Sequence, residues 1–571
     1  MSRWERIRAL PAWVWPVALV TICFAVHLSA AMTPLLLDDA FELPRALDDS
    51  WQNWLFAYSY DAPNAQEPWW LGQLYERRVV RLLPSAMLAG ELRLFGANAL
   101  ALHLVNVAVV AATVVLVHRL LARWTDDPPA AALATLVLAV HPASTEMAAL
   151  LMDLPIAMAG LAGVTAVWFW DRMRRTGSKR AFAGSLVAAF IAVTSYEAVL
   201  FLPIGIAGAD AWLFRNRRDL PGGTWMPRLA MLGVLVLYAP LVVWVRQGVM
   251  HPDSEAIRSA DIVFQALRWD TEGYLAKVFV LVKPSEPFSY WLLNTVGEPL
   301  AIAILVVIVV ALLYGAEDRR FRWIGLVAFA GFLGPPLIVR AAVSLMNTPT
   351  YRQIYLPIIF GLVPILAAVL ARRRGRPWLF AGVAVFAIAA AVQSIRFATE
   401  FPVFQGVARL TEQARAVLAE HDHQKPLVVA GDNRCGFYPN LVWSGPVVRA
   451  FPAPKKMTDP IQITAIDDHT LEARAPGGFG RGLLDKTANW PLPPGRYNQG
   501  PMRVIRQPNF TPDRKVLAIP GGTTIELVER TAEAATVLRA RLPYRLADSV
   551  LLILRGCDER PFVQPMPVPK P

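Results

Sequence analysis

Apolar blocks recur along the first 395 or so positions, most near the ~20 residues that cross a bilayer as a helix, and short basic clusters separate them. The first block, 13–32, follows Arg3, Arg6 and Arg8 and ends without a clean signal-peptidase site, so it reads as a first spanning helix with its N-terminus in the cytoplasm. The chain then passes a long polar and aromatic segment, 33–98, and returns as a second helix at about 99–121 to Arg119 and Arg123. The stretch between Arg123 and the run Arg172, Arg174, Arg175, Lys179 and Arg180 is long enough for two spans. Its ends are both basic, which predicts a hairpin turning outside at His141-Pro142-Ala143-Ser144-Thr145-Glu146. A second hairpin turns near Thr194-Ser195-Tyr196-Glu197 and ends at Arg215, Arg217 and Arg218.

A seventh helix at about 228–245 leads into a second outer segment, 246–299. Helix eight returns to Asp318, Arg319, Arg320 and Arg322, and helix nine goes out to Asn347 through Arg352. Helix ten returns to Arg372, Arg373, Arg374 and Arg376, and helix eleven exits near Ile395. The charge pattern therefore predicts a polytopic α-helical membrane protein of about eleven transmembrane helices over 1–398. Parity places the remaining 399–571 outside, as a water-facing domain at a bacterial inner membrane. That tail carries a helical pattern at 407–418 and strand-like runs at 426–430 and 550–554 among Pro- and Gly-rich connections, predicting a mixed α/β domain.

Composition agrees with a bilayer protein: 55% of the 571 residues are hydrophobic and 18% charged. The net charge of +12 sits between apolar blocks rather than along one soluble face, which argues for membrane anchoring and against nucleic acid. Three cysteines exclude a disulfide scaffold. In an oxidising compartment Cys435 and Cys557 are positioned to pair; the alternative is two separate buried thiols.

The candidate chemistry lies in the outward segments. Asp38 and Asp39 directly follow the first helix, and the same segment holds Glu76, Arg77, Arg78 and Arg81. The hairpins add His141, Glu146, Asp153 and Glu197, and later segments add Lys277, Lys283, Arg340 and Arg352. Acids come early and cations late, a division suited to deprotonating one group while another leaves as an anionic phosphate.

These motifs, in order, resemble the GT-C superfamily of membrane glycosyltransferases, and most specifically its O-mannosyltransferase branch, including the transmembrane members that bear tetratricopeptide repeats. The resemblance is carried by Leu37-Asp38-Asp39, Leu102-His103-Leu104-Val105-Asn106, Val140-His141-Pro142 through Glu146, Ser195-Tyr196-Glu197-Ala198 through Pro203, and Tyr351-Arg352-Gln353-Ile354-Tyr355-Leu356-Pro357. The chain departs from the family at Tyr196, where a basic residue is usual, in the blurred arginine-proline of its first loop, and in having no tetratricopeptide repeats.

The resemblance implies a sugar donor on a polyprenyl phosphate, transfer to an acceptor hydroxyl on a protein, lipid or polysaccharide, and inversion at the anomeric carbon. Asp38 or Asp39 would be the general base. Arg352, then Arg340, Lys283 and Lys277, would hold the lipid phosphate, with Glu76, Arg77, Arg78, His141, Glu146, Glu197 and Tyr355 in support. The superfamily has both metal-dependent and metal-independent members. An Asp pair with a nearby Glu would suit a hard divalent cation, but the reading commits to no metal or other cofactor. The segment 275–291 is apolar with interspersed lysines, as expected of a lipid entrance on the bilayer surface.

Blander roles stand beside these. The Asp pair would also cap a helix, His103 and His141 would also pack as helix-end groups, and the tryptophans at 51, 54, 69 and 70 read as an interfacial belt. The competing functions are a transporter or flippase of a lipid-linked glycan, and a non-catalytic scaffold.

Overall fold

The computed structural model describes residues 10–35, 81–214, 225–246, 352–372, 377–400 and 402–431, most of the tail from 442 to 569, and a few isolated positions, among them 46, 57–58, 223 and 325. The described residues of the N-terminal part are mainly helical: α1 Val14–Ala31, α2 Leu82–Phe95, α3 Ala99–Thr125, α4 Pro128–Val140, α5 Pro142–Ala149, α6 Leu154–Thr176, α7 Lys179–Ser195, α8 Phe201–Leu213 and α9 Trp225–Arg246. After 351 come α10 Arg352–Pro357, a π-turn at Ile358–Leu362, α11 Val363–Arg372 and α12 Pro377–Glu400. Among the described residues five helices are long and apolar enough to cross a membrane, or six when the bent pair α4 and α5 is taken as one span. The expected eighth and ninth helices lie outside the described residues.

One apolar cluster joins α1, α3, α4, α5, α6, α7 and α10 to α12. Helices α6 and α7 form a hairpin capped at its turn by Ser178, whose Oγ accepts from Ala181 N at 3.3 Å, with Gly177 at φ 67° taking the left-handed position that closes α6. Gly163 lets α6 approach the π-turn: a Cβ there would lie 2.7 Å from Phe360 Cζ.

The end of this bundle that carries Arg123 and Arg174 is held by ion pairs. Asp210 on α8 accepts from Arg174 Nε at 2.7 Å, from Arg228 Nε at 2.7 Å and from Trp170 Nε1 at 3.0 Å, while Arg174 also donates to Gly223 O at 2.6 Å. Asp171 likewise accepts from Arg123 at 3.3 Å, Arg175 at 3.1 Å and Trp124 Nε1 at 3.1 Å. The sequence pattern casts Arg174 as a surface anchor; instead it is buried, because the lone carboxylate of Asp210 draws it between the helices.

The first hairpin also differs from expectation. Residues 142–149 form α5, bent by 49° from α4 and buried at every position, where an outer turn was expected. Pro142 supplies the break, since it has no N–H to continue α4, and then starts α5 at a position that needs none.

Among the described residues the tail holds α13 Pro402–Leu418 and eleven strands: β1 Leu427–Gly431, β2 Val447–Phe451, β3 Gln462–Asp467, β4 Thr470–Arg474, β5 Thr487–Asn489, β6 Arg503–Ile505, β7 Val516–Ile519, β8 Thr523–Arg530, β9 Ala535–Arg541, β10 Val550–Leu554 and β11 Phe562–Gln564. A mixed sheet runs β11-β10-β1-β2 and an antiparallel one β3-β4-β9-β8-β7. Strand β1 is buried on both faces: Leu427 and Val429 meet Leu410, Ala414 and Leu418 of α13, while Val428 and Ala430 join the core of the second sheet. That double burial explains the unbroken apolar runs at β1 and β10. Cys435 and Cys557 lie outside the described residues.

Candidate functional site

The break between α4 and α5 organises the opposite end of the bundle. Breaking a helix strands the carbonyls of its last turn, and in an apolar environment each unsatisfied carbonyl costs several kcal/mol. Three consecutive carbonyls are taken here by three different elements. Leu138 O accepts from Ser144 Oγ at 2.7 Å, Ala139 O pairs with His27 Nε2 of α1 at 2.9 Å, and Val140 O accepts from Ser394 Oγ of α12 at 2.6 Å. Thr145 Oγ1 lies 3.1 Å from the other His27 nitrogen. At the far end of α5, Asn106 Nδ2 of α3 reaches Met147 O and Leu150 O, each at 3.1 Å. His141 starts α5 by accepting from Ala143 N at its own Nδ1, 3.0 Å away.

Several motif residues are thereby accounted for by backbone satisfaction. Asn106 and His141 serve the break, and His103 is buried within α3. Glu146 and Asp153 are also buried, flanking the end of α5. Sequence reasoning passed over His27 and Ser394; the signal for both was a polar side chain inside an otherwise apolar span.

Two cationic positions approach this end. Helix α10, which begins at Arg352, packs against α5, and Tyr355 on it is fully buried, its ring meeting α6 where a Cβ on Gly160 would lie 3.0 Å from Tyr355 Cε1. Arg81, immediately before α2, is buried with its guanidinium carbon 5.4 Å from the ring of Tyr58 and 5.2 Å from that of Tyr196. Tyr196 leads into the turn at Glu197–Leu200, so the second predicted hairpin does reverse there.

Helix α2 itself was not expected from the sequence. It packs on α7 and carries Glu91, which is 5% exposed and has no hydrogen-bond partner at either oxygen among the described residues. Burial pushes the Glu91 carboxyl up to about 7.

The structure thus brings the early acid Glu146 and the helix of the late cation Arg352 to one end. Asp38, Asp39, Glu76, Arg77, Arg78, Lys277, Lys283 and Arg340 lie outside the described residues, as do the side chains of Glu197 and Arg352. Among the described residues no three His, Cys, Asp or Glu side chains gather as a metal site.

No protein-family model matches the chain, and no curated protein matches it. Solved structures give distant likenesses. ArnT from Cupriavidus metallidurans bound to undecaprenyl phosphate is 14% identical with a TM-score of 0.48, over 78% of this chain and 86% of that one. The oligosaccharyltransferase AglB from Archaeoglobus fulgidus, in complex with an inhibitory peptide and a dolichol-phosphate, is 12% identical with a TM-score of 0.36, over 71% of this chain and 58% of that one. An Archaeoglobus fulgidus oligosaccharyltransferase tethered to an acceptor peptide is 12% identical with a TM-score of 0.40, over 77% and 63%. Likenesses of this size leave the chemistry to be argued from the chain's own residues.

Proposed function

We propose that the chain is a membrane glycosyltransferase of the GT-C type, resembling the O-mannosyltransferase branch, that moves a sugar from a polyprenyl-phosphate donor to an acceptor hydroxyl on the extracytoplasmic side. The observation that carries the reading is the packing of α10, which starts at Arg352, against α5, which His141 caps and which holds Glu146. An early acidic element and a late cationic one, far apart in sequence, meet at one end of the bundle. The ordered motifs of the sequence support the same reading.

In this reaction Asp38 or Asp39 takes the acceptor proton as the hydroxyl oxygen attacks the anomeric carbon, and the bond to the polyprenyl phosphate breaks on the opposite face, inverting that carbon. Arg352, with Arg340, Lys283 and Lys277, neutralises the leaving phosphate in a site where low dielectric magnifies each charge. Glu146 and His141 hold the floor of the site through α5, and the tail faces the acceptor side.

A transporter of lipid-linked glycans is the second reading, and the broken span at α4 and α5 is what favours it. The carbonyls freed at that break, however, are already taken by Ser144, His27 and Ser394, which makes the break a fixed joint rather than a coordination site.

The test is transfer of radiolabelled sugar from synthetic polyprenyl-phosphate sugars to a membrane extract by purified protein. Asp38→Asn or Asp39→Asn is expected to lower transfer by roughly 100-fold to 10,000-fold, and Arg352→Ala is also expected to lower it. Full transfer by all three variants would overturn the site; no transfer from any donor by the wild type would favour the transporter.

A further inference from the structure

Helix α2 packs against α7, α3 and α6. Pro84, Ser85, Leu88, Ala89, Glu91 and Leu92 are buried on it, while Leu83, Ala86, Arg93 and Leu94 stay exposed. Its link to α3 is built as a joint. Gly96 takes φ 59° and ψ −150°, a conformation that residues with a Cβ avoid, and Gly96, Ala97 and Asn98 are all exposed. Beyond the joint α3 has its own cap, Ala101 N donating to Asn98 Oδ1 at 3.2 Å, so its first turn does not depend on where α2 lies.

Glu91 is the weak point of the packed face. Both of its oxygens are enclosed without a hydrogen-bond partner among the described residues, so the packed position tolerates the neutral acid and penalises the carboxylate. The ionisable groups of the surrounding helices lie elsewhere or give it no bond. Lys179 and Arg180 begin α7 at the end opposite Tyr196, whose ring lies 5.2 Å from the Arg81 guanidinium at the head of α2. Asp171, Arg172, Arg174 and Arg175 stand in the last turns of α6. On α3, His103 is buried near its start, and His118, Arg119 and Arg123 lie toward its other end. Arg93, on α2 itself, is exposed.

We propose that α2 is a proton-held strap: neutral Glu91 keeps it packed on α7, and ionised Glu91 releases it about the Gly96 joint into water. The device does not depend on the reaction proposed above. Its direction with pH follows from the two environments of one carboxyl, at about 7 when packed and near the ordinary 4.5 when released. Packing is at full strength below 4.5, weakens as pH rises toward 7, and is level above that.

The experiment is amide hydrogen exchange of the full chain in detergent at a series of pH values from 5 to 8, read by mass spectrometry and corrected for the intrinsic pH dependence of exchange. Wild type, Glu91→Gln and Glu91→Leu are compared. Protection of the amides of α2 in the wild type is expected to fall by as much as about 10-fold per pH unit up to about pH 7 and then to level off, while α7 and α3 keep theirs. Glu91→Gln keeps the shape of the side chain without its charge and should hold the low-pH protection throughout; Glu91→Leu, which removes the polar group altogether, should do the same. Protection of wild-type α2 that is flat with pH, or a pH dependence that survives in both variants, would overturn the proposal. So would a loss shared equally by α2, α7 and α3, since that is unfolding of the bundle and not release of one helix.

Discussion

The two ends of the helical bundle treat charge in opposite ways. At the end of Arg174 and Arg228 the carboxylates are surrounded by donors: buried Asp210 by two guanidiniums and an indole N–H, and half-buried Asp171 by the same combination. At the opposite end, buried Glu91 has no hydrogen-bond partner at either oxygen among the described residues, and the Arg81 guanidinium lies near two tyrosine rings. Saturated clusters hold helices together and gain nothing from a ligand. A buried acid without a donor costs stability, and proteins keep such costs mainly where chemistry or movement uses them. On the proposed reading, the difference sets a structural end apart from a working end.

The sharpest way to break that distinction is Asp210→Asn. It leaves Arg174 and Arg228 buried without their carboxylate, and a loss of about 3–5 kcal/mol is expected. The check is thermal or denaturant unfolding in detergent. Transfer per folded molecule should survive; a selective loss of activity at unchanged stability would place the working end wrongly.

At the break, Asn106→Leu strands the carbonyls of Met147 and Leu150, and the expected loss is about 1–3 kcal/mol. Because α5 carries Glu146 and packs on α10, this variant should also lower transfer per folded molecule, which Asp210→Asn should not. Comparing the two variants at matched folded fraction tests whether the ends differ in function or only in composition. Gly163→Ala probes the rigid middle, since the added Cβ would lie 2.7 Å from Phe360 Cζ and overpacking costs roughly 1–3 kcal/mol.

How far the sequence disclosed this depends on the signal. Helices α1, α3 and α12 follow from apolar runs long enough to leave no other structure in a bilayer, and β10 from five consecutive apolar residues that are buried on both faces. The segment 141–149 was misread because Pro142 and the polar residues beside it look like an exposed turn, whereas those polar groups satisfy backbone freed by the proline. Asp210 went unnoticed although a single carboxylate in an apolar helix needs a cation nearby, and Arg174 and Arg228 were the available ones. Helix α2 had no periodic signal strong enough to stand out from the loop around it. Glu91 therefore entered the picture only through the fold.

The smallest expected effect concerns that residue. With its carboxyl at about 7 in the folded protein against an ordinary value of 4.5, Glu91 holds a proton that the unfolded chain has already released between those two values. Folding stability should therefore fall as pH rises through that window and level off above it, with a slope from this group of at most about 1.4 kcal/mol per pH unit. Glu91→Gln removes the titration and should flatten the slope, while variants at Asp210 should leave it in place. Unfolding measured at a series of pH values from 4 to 8 separates the cases. A slope that persists in Glu91→Gln would mean that another group at the same end titrates there, and the charge imbalance that distinguishes the two ends would then have to be traced to that group instead.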